Sequence, residues 1–226
     1  VRCEVRAGRW TPAGKHTVVI GSTTPIGTGL AWQAVWESGS NAVLDGAAAL
    51  LAGGLTGFNL SSIDVAILKN NRHHRVAGVT LHQRRDLGPV IRVGLPRASP
   101  ETATIRAAQW AVSTRQAALL VCLPVQQRLV APDRLLAAWS QVQRSPRRRL
   151  LDLVIQDVCD GAHSLGELDF ARLCRTYGIA PPQRQCLRNG PGGRVYLDAY
   201  WEASKWVVEI DGQHLTGLNQ IDDALL

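Results

Sequence analysis

Near the end of the chain two apolar runs alternate with carboxylates across a short polar stretch. Tyr196-Leu197-Asp198-Ala199-Tyr200-Trp201 is followed by Glu202-Ala203-Ser204-Lys205 and then by Val207-Val208-Glu209-Ile210-Asp211-Gly212-Gln213-His214. Side chains alternate faces along a strand, so Glu209 and Asp211 share one face while Val208 and Ile210 point into the opposite layer. The polar stretch reads as a turn, and the resulting hairpin sets Asp198 beside that acidic pair. Like charges held so close repel unless a cation lies between them, and oxygen ligands of this kind suit Mg²⁺ or Mn²⁺. Acids are disfavoured in strands, so two on one face beside β-branched neighbours need a reason. The spacing leaves a solvated sheet face as the alternative.

Composition narrows the class. With 226 residues, 46% hydrophobic and 19% charged, the chain has the balance of an ordinary globular protein and room for one large domain or two small ones. No run approaches the roughly 18 to 20 consecutive apolar residues of a membrane span; the longest, Ala117 to Val125, is strand-sized. The start, Val1-Arg2-Cys3-Glu4, is not that of a secretory signal. Five scattered cysteines without a Cys-x-x-Cys pair predict free thiols in a reducing cytoplasm, not a disulfide or zinc framework. Charge is divided: residues 1–151 hold 19 of the 25 Lys and Arg but only 7 of the 18 Asp and Glu. A basic part attracts a polyanion, and a locally acidic one suits a metal site. Arg-rich solvated helices are the alternative.

Along the chain, Arg2 to Val5 and His16 to Ile20 read as short β-runs around a turn at Pro12-Ala13-Gly14-Lys15, the pattern of a wing. Ala42 to Gly53 reads as helix ended by Gly53-Gly54. Strands are expected at Ile63 to Leu68, Val76 to His82 and Val90 to Leu95, the first two separated by the basic turn Lys69 to Arg75. Helices are expected at Thr102 to Val112, Val130 to Trp139, Arg147 to Cys159 and Leu165 to Tyr177, the last closed by Gly178 before Pro181-Pro182. Two strands follow. The polar stretch Gln141 to Arg149 marks a domain boundary, giving residues 1–149 and 150–226.

Individual candidates carry competing readings. Glu167 adds a fourth carboxylate if its helix packs on the acidic sheet; otherwise it is an N-terminal acid favoured by the helix dipole. His214 is a general base, a metal ligand, a phosphate contact or a structural histidine. His73-His74, between Arg72 and Arg75, reads as an exposed polar loop. Arg72, Arg75, Arg84, Arg85 and the run Arg147-Arg148-Arg149 are candidate phosphate contacts, with a solvated linker as the alternative for the run. Gly27-Thr28-Gly29 has no phosphate-loop lysine after it, which excludes nucleotide binding there.

Four blocks in fixed order carry a resemblance: His163-Ser164-Leu165-Gly166-Glu167-Leu168-Asp169-Phe170; Tyr177-Gly178-Ile179-Ala180-Pro181-Pro182 with Gln185; Gly193-Arg194-Val195-Tyr196-Leu197-Asp198; and Val208 to His214. Together they resemble the actinobacterial proteins whose C-terminal domain is related to very-short-patch-repair endonucleases, members of the PD-(D/E)XK or restriction-endonuclease-like superfamily. The match covers about Gly161 to Leu226. Upstream, Val43 to Leu151 resembles the region preceding that domain in those proteins, where an AbiEi-antitoxin-like winged helix often starts the chain. The resemblance implies an α/β protein with a mixed α+β, helix-rich N-terminal region bearing a winged-helix remnant, followed by a nuclease-like mixed sheet flanked by helices. It implies Asp198 as the central metal-binding aspartate, Glu209 as second ligand, Glu167 as the helix acid, and Mg²⁺ or Mn²⁺ as cofactor. Asp211 stands where the superfamily usually has lysine, which leaves Gln213 or His214 as the nearest general base. The implied activity is DNA endonuclease in repair or defence, with double-stranded DNA as partner. The alternative is a DNA-binding regulator, an antitoxin of a type IV system with a toxin partner and a degenerate nuclease domain. The superfamily core normally continues past Asp222-Asp223, so the chain is expected to be an interior fragment.

Overall fold

Val65, Ala66 and Ile67 have no exposed surface at all, the mark of a strand covered on both faces. In the computed structural model, which describes residues 1–21, 24–161, 165–190 and 193–210, these residues lie in an inner strand of a mixed sheet. The protein is of the mixed α/β class, divided into two compact units, Val1–Ala107 and Ala108–Leu226. The boundary expected near residue 149 thus falls inside the second unit. No helix among the described residues is long and apolar enough to cross a membrane.

The first unit opens with a short helix, α1 (Arg2–Arg6), where a β-run was expected. Local bonds decide it: the Val5 and Ala7 N–H groups donate back to Val1 and Cys3, and Arg9 reaches back to pair with Glu4. Strands β1 (Trp10–Pro12) and β2 (Val18–Ile20) then pair antiparallel, β2 inside the run expected at His16 to Ile20 and β1 where no strand was expected. Helix α2 (Thr28–Ser38) follows. The helix expected from Ala42 divides into β3 (Val43–Leu44) and α3 (Gly46–Ala52), because the Asp45 side chain accepts from Gly46 N–H at 2.8 Å and so starts the helix only at Gly46. Next come β4 (Ile63–Leu68), β5 (Val79–Arg84), β6 (Val90–Ile91), β7 (Arg97–Ala98) and α4 (Pro100–Trp110), the last running across the division between units. Strand order is β5-β4-β3-β7-β6, with β4–β5 and β3–β7 parallel and the other pairs antiparallel. Val43, Ala66 and Leu87 form a buried cluster on this sheet, with Leu68 and Val90 packed against it.

Glu37, nearly fully buried at the end of α2, ties this hairpin to its surroundings. Its carboxylate accepts from the N–H groups of Lys15 (3.0 Å) and His16 (2.7 Å), from Thr17 Oγ1 (2.7 Å) and from His74 Nε2 (3.1 Å). Gly14 is required beside it, since a Cβ there would lie 2.5 Å from the Glu37 carboxyl carbon. Burial pushes the Glu37 carboxyl up, but the donors outweigh it, Thr17 first, and the net shift is downward from 4.5. A depressed pKa stabilises the fold above the unfolded value, and that stabilisation is lost as pH falls through the lower folded value. Protection of the Lys15 and His16 amides against exchange is therefore expected to be lost as pH falls through the lowered Glu37 pKa, whereas Glu37→Gln should lack that protection at neutral pH too.

The second unit has helices α5 (Thr114–Gln126), α6 (Pro132–Ser140), α7 (Arg148–Cys159) and α8 (Leu165–Thr176), then strands β8 (Gln183–Gly190), β9 (Gly193–Trp201) and β10 (Trp206–Val208). The strand-sized apolar run from Ala117 is helical: Ser113 caps it by accepting from Gln116 N–H at 3.1 Å. Leu120, Val121, Leu135, Leu151 and Ile155 form its buried helical core. Gly178, at φ 65°, ends α8 in the left-handed conformation that glycine tolerates. The three strands form an antiparallel sheet in the order β10-β9-β8.

Candidate metal and nucleic-acid site

The hairpin predicted from the polar turn is present. Trp206 pairs with Trp201, Val207 with Tyr200 and Val208 with Ala199, and one further step of the same register sets Glu209 across from Asp198. Residues directly opposite in an antiparallel pair share a face, with Cβ atoms about 4.5–5.5 Å apart. Lys205 takes φ 59° in the turn, and its ammonium reaches Glu202 at 3.1 Å. Ile210 N–H donates to Asp198 Oδ2 at 3.0 Å, which fixes that carboxylate against the end of β10. Partial desolvation, then the charge of Asp198 and a hydrogen bond to it, hold the Glu209 carboxyl above its ordinary range. The Asp198 charge beside it thus disfavours ionisation of Glu209.

Alternation along β9 turns Asp198 away from the face bearing Ala199 and Trp201. Ala199 is buried, and the Trp201 ring meets Phe170 of α8 edge-on at 6.0 Å. On β8, Arg184 donates to the Asp157 carbonyl on α7 at 3.0 Å. The helices thus meet the sheet on the face opposite the carboxylate pair. Glu167 lies buried in the first turn of α8, and among the described residues no group of three or more His, Cys, Asp or Glu side chains is placed to hold a metal. Among the described residues Glu167 therefore joins no such group with Asp198 and Glu209. Its charge is felt instead at Cys122 of α5, whose thiol is pushed up to about 12 by burial first and by Glu167 and Asp157 after it. Native Cys122 is accordingly expected to resist an aromatic disulfide reagent at pH 8, while exposed Cys3 reacts; rapid labelling of both would contradict this placement. Asp211, Gln213 and His214 lie outside the described residues.

The candidate phosphate contacts divide by environment. Arg72, Arg75 and Arg85 are exposed, and Arg84 is half-buried. Burial lowers the Arg84 pKa, and the neighbouring Arg106 charge lowers it further. Arg149 is exposed, but Arg147 donates to the Gln109 carbonyl at 3.2 Å, and Arg148 stacks 4.5 Å over the Trp139 ring while pairing with Asp152 at 3.0 Å. Two of the three adjacent arginines thus hold the start of α7. The expected His73-His74 loop is only partly exposed, since His74 is the partner of Glu37. Two buried features had no sequence signal: that clamp, and the ion pair between Asp45 and Arg106 at 2.6 Å.

Comparison with protein-family models, with curated proteins and with solved structures finds no match to this chain.

Proposed function

We propose that the second unit is a Mg²⁺- or Mn²⁺-dependent DNA endonuclease domain of restriction-endonuclease-like type, acting on double-stranded DNA in repair or defence. The observation that carries this reading is the register of β9 and β10, which brings Asp198 and Glu209 into contact and raises the proton affinity of Glu209. Such a pair fits a small divalent cation, which binds through one or two carboxylates and leaves its other positions to water and phosphate. Bound there, the cation supplies charge neutralisation to the phosphodiester. The chain's own residues orient and discharge the site. Ile210 N–H holds the Asp198 carboxylate in place, and Glu209, opposite it in the register, would supply the second carboxylate ligand. The test is nicking of supercoiled DNA with Mg²⁺, Mn²⁺ or EDTA, beside a variant lacking the Asp198 charge. Cleavage that ignores both the chelator and the variant would refute it.

A second reading, a DNA-binding regulator of antitoxin type with a toxin partner, is favoured by the exposure of Arg72, Arg75 and Arg85 in the first unit. It predicts salt-sensitive, sequence-selective duplex binding without turnover.

A further inference from the structure

The first unit contains a cavity of about 880 Å³, within the size range of small-molecule sites, about 300–1,000 Å³. Its walls come from the β1–β2 turn, α2, α3 and the segment leading into β5. Leu51, Leu60, Ile63 and Val79 line its apolar part. Two of its polar lining residues converge at Glu37: Lys15 N–H and His74 Nε2 both donate to the same oxygen, Glu37 Oε2, at 3.0 and 3.1 Å. That shared acceptor brings the backbone of Lys15 close to the His74-Arg75 segment, and Lys15, His74 and Arg75 all line the cavity.

The charge of a ligand head follows from these bonds. Each Glu37 oxygen already accepts from two protein donors, so the buried carboxylate has little capacity left for a cationic or hydrogen-bonding ligand. Lys15 and Arg75 both line this cavity and both are exposed. An ammonium and a guanidinium at the mouth of an apolar cavity complement a carboxylate on an apolar body, with charge-assisted bonds at the head and burial of hydrocarbon behind it.

We propose that this cavity is a binding site for an amphipathic anion, a long-chain acyl carboxylate whose head pairs with Lys15 and Arg75 and whose chain lies against the Leu51–Val79 wall. The site is in the first unit and does not depend on the carboxylate pair of the second.

Oleate is the probe, titrated calorimetrically into the full chain below its aggregation concentration, with oleamide as the neutral-headed comparator. Saturable oleate binding is expected, weakened about tenfold or more for oleamide and in Lys15→Gln/Arg75→Gln, whose two positions are exposed. Ala31→Phe, a half-buried lining position on α2, should also weaken it while the circular-dichroism spectrum is retained. No saturable oleate binding would overturn the proposal. So would equal affinity for oleate and oleamide, or affinity unchanged in both variants. A concentration-dependent dimer that excludes oleate would assign the cavity to a second copy of the chain and overturn it equally.

Discussion

Replacing Asp198 by Asn is expected to reduce metal-dependent nicking of duplex DNA by at least about a hundredfold while leaving the hairpin intact. Asn keeps an oxygen acceptor for Ile210 N–H, so the strand end stays anchored. What it removes is the charge that repels Glu209 and attracts a cation. Three readouts then separate a metal site from a solvated face. In the native protein Mg²⁺ or Mn²⁺ should raise the thermal midpoint, and in Asp198→Asn it should not. Glu209, followed by carboxyl NMR, should titrate lower in the variant, because the second cause of its raised pKa is gone. In the native protein, cation binding should strengthen as pH rises through the Glu209 pKa, since the proton and the cation compete. The linkage without metal has the opposite sign. A carboxyl whose folded pKa is raised contributes stability below its unfolded value and loses it as pH rises. Glu209→Gln should therefore leave the metal-free protein at least as stable at neutral pH. Because Glu209 is exposed, that gain is screened and small. Retained nicking in Asp198→Asn, with metal still raising its midpoint, would remove the nuclease proposal.

Arg106→Ala is expected to be the more damaging change to the fold, costing about 3–5 kcal/mol of stability in the first unit. Asp45 has no exposed surface, and Arg106 Nη1, itself buried, lies 2.6 Å from its Oδ2. The same carboxylate caps α3 through Gly46 N–H, so the pair joins the start of α3 to α4. Burial pushes the Asp45 carboxyl up, and among the groups that pull it back down the Arg106 charge acts most strongly. Without Arg106 a carboxylate remains in the interior with its principal counter-charge gone. The loss should show in urea unfolding and should shrink as pH falls, because Asp45 can then take a proton. Adding Asn at position 45 to Arg106→Ala should recover part of it by removing the stranded charge while keeping a capping oxygen. A loss under about 1 kcal/mol, independent of pH, would mean that the pair behaves as a surface ion pair.

The two changes act on interactions of different legibility. The partnership of Asp198 with Glu209 could be read before any coordinates, because the turn Glu202–Lys205 sets the register and strand periodicity does the rest. The ion pair between Asp45 and Arg106 could not, since its members are 61 residues apart and no local pattern joins them. Helices α4 and α8 and strand β4 were likewise legible from caps, a terminal glycine and β-branched runs. The apolar run beginning at Ala117 was not, since a run of that length has no periodicity to distinguish a buried strand from a buried helix. Ser113 and the packing of α5 against α7 decided it.

The sequence by itself determined the sheet hairpin that pairs the two carboxylates, the face they share and the uneven distribution of basic residues, all set by period-two alternation, turn chemistry and composition. Only the tertiary structure decided where Glu167 lies and which arginines are exposed. It set α8 against the sheet face opposite Asp198 and left Glu167 beside Cys122. It engaged Arg147 and Arg148 at the start of α7 and left Arg72, Arg75 and Arg85 exposed. It also closed the ring of donors around Glu37 beside an apolar cavity. The reason is the same in each case: a side chain's direction follows from its own strand or helix, but its partner comes from an element whose distance along the chain leaves no trace in local pattern.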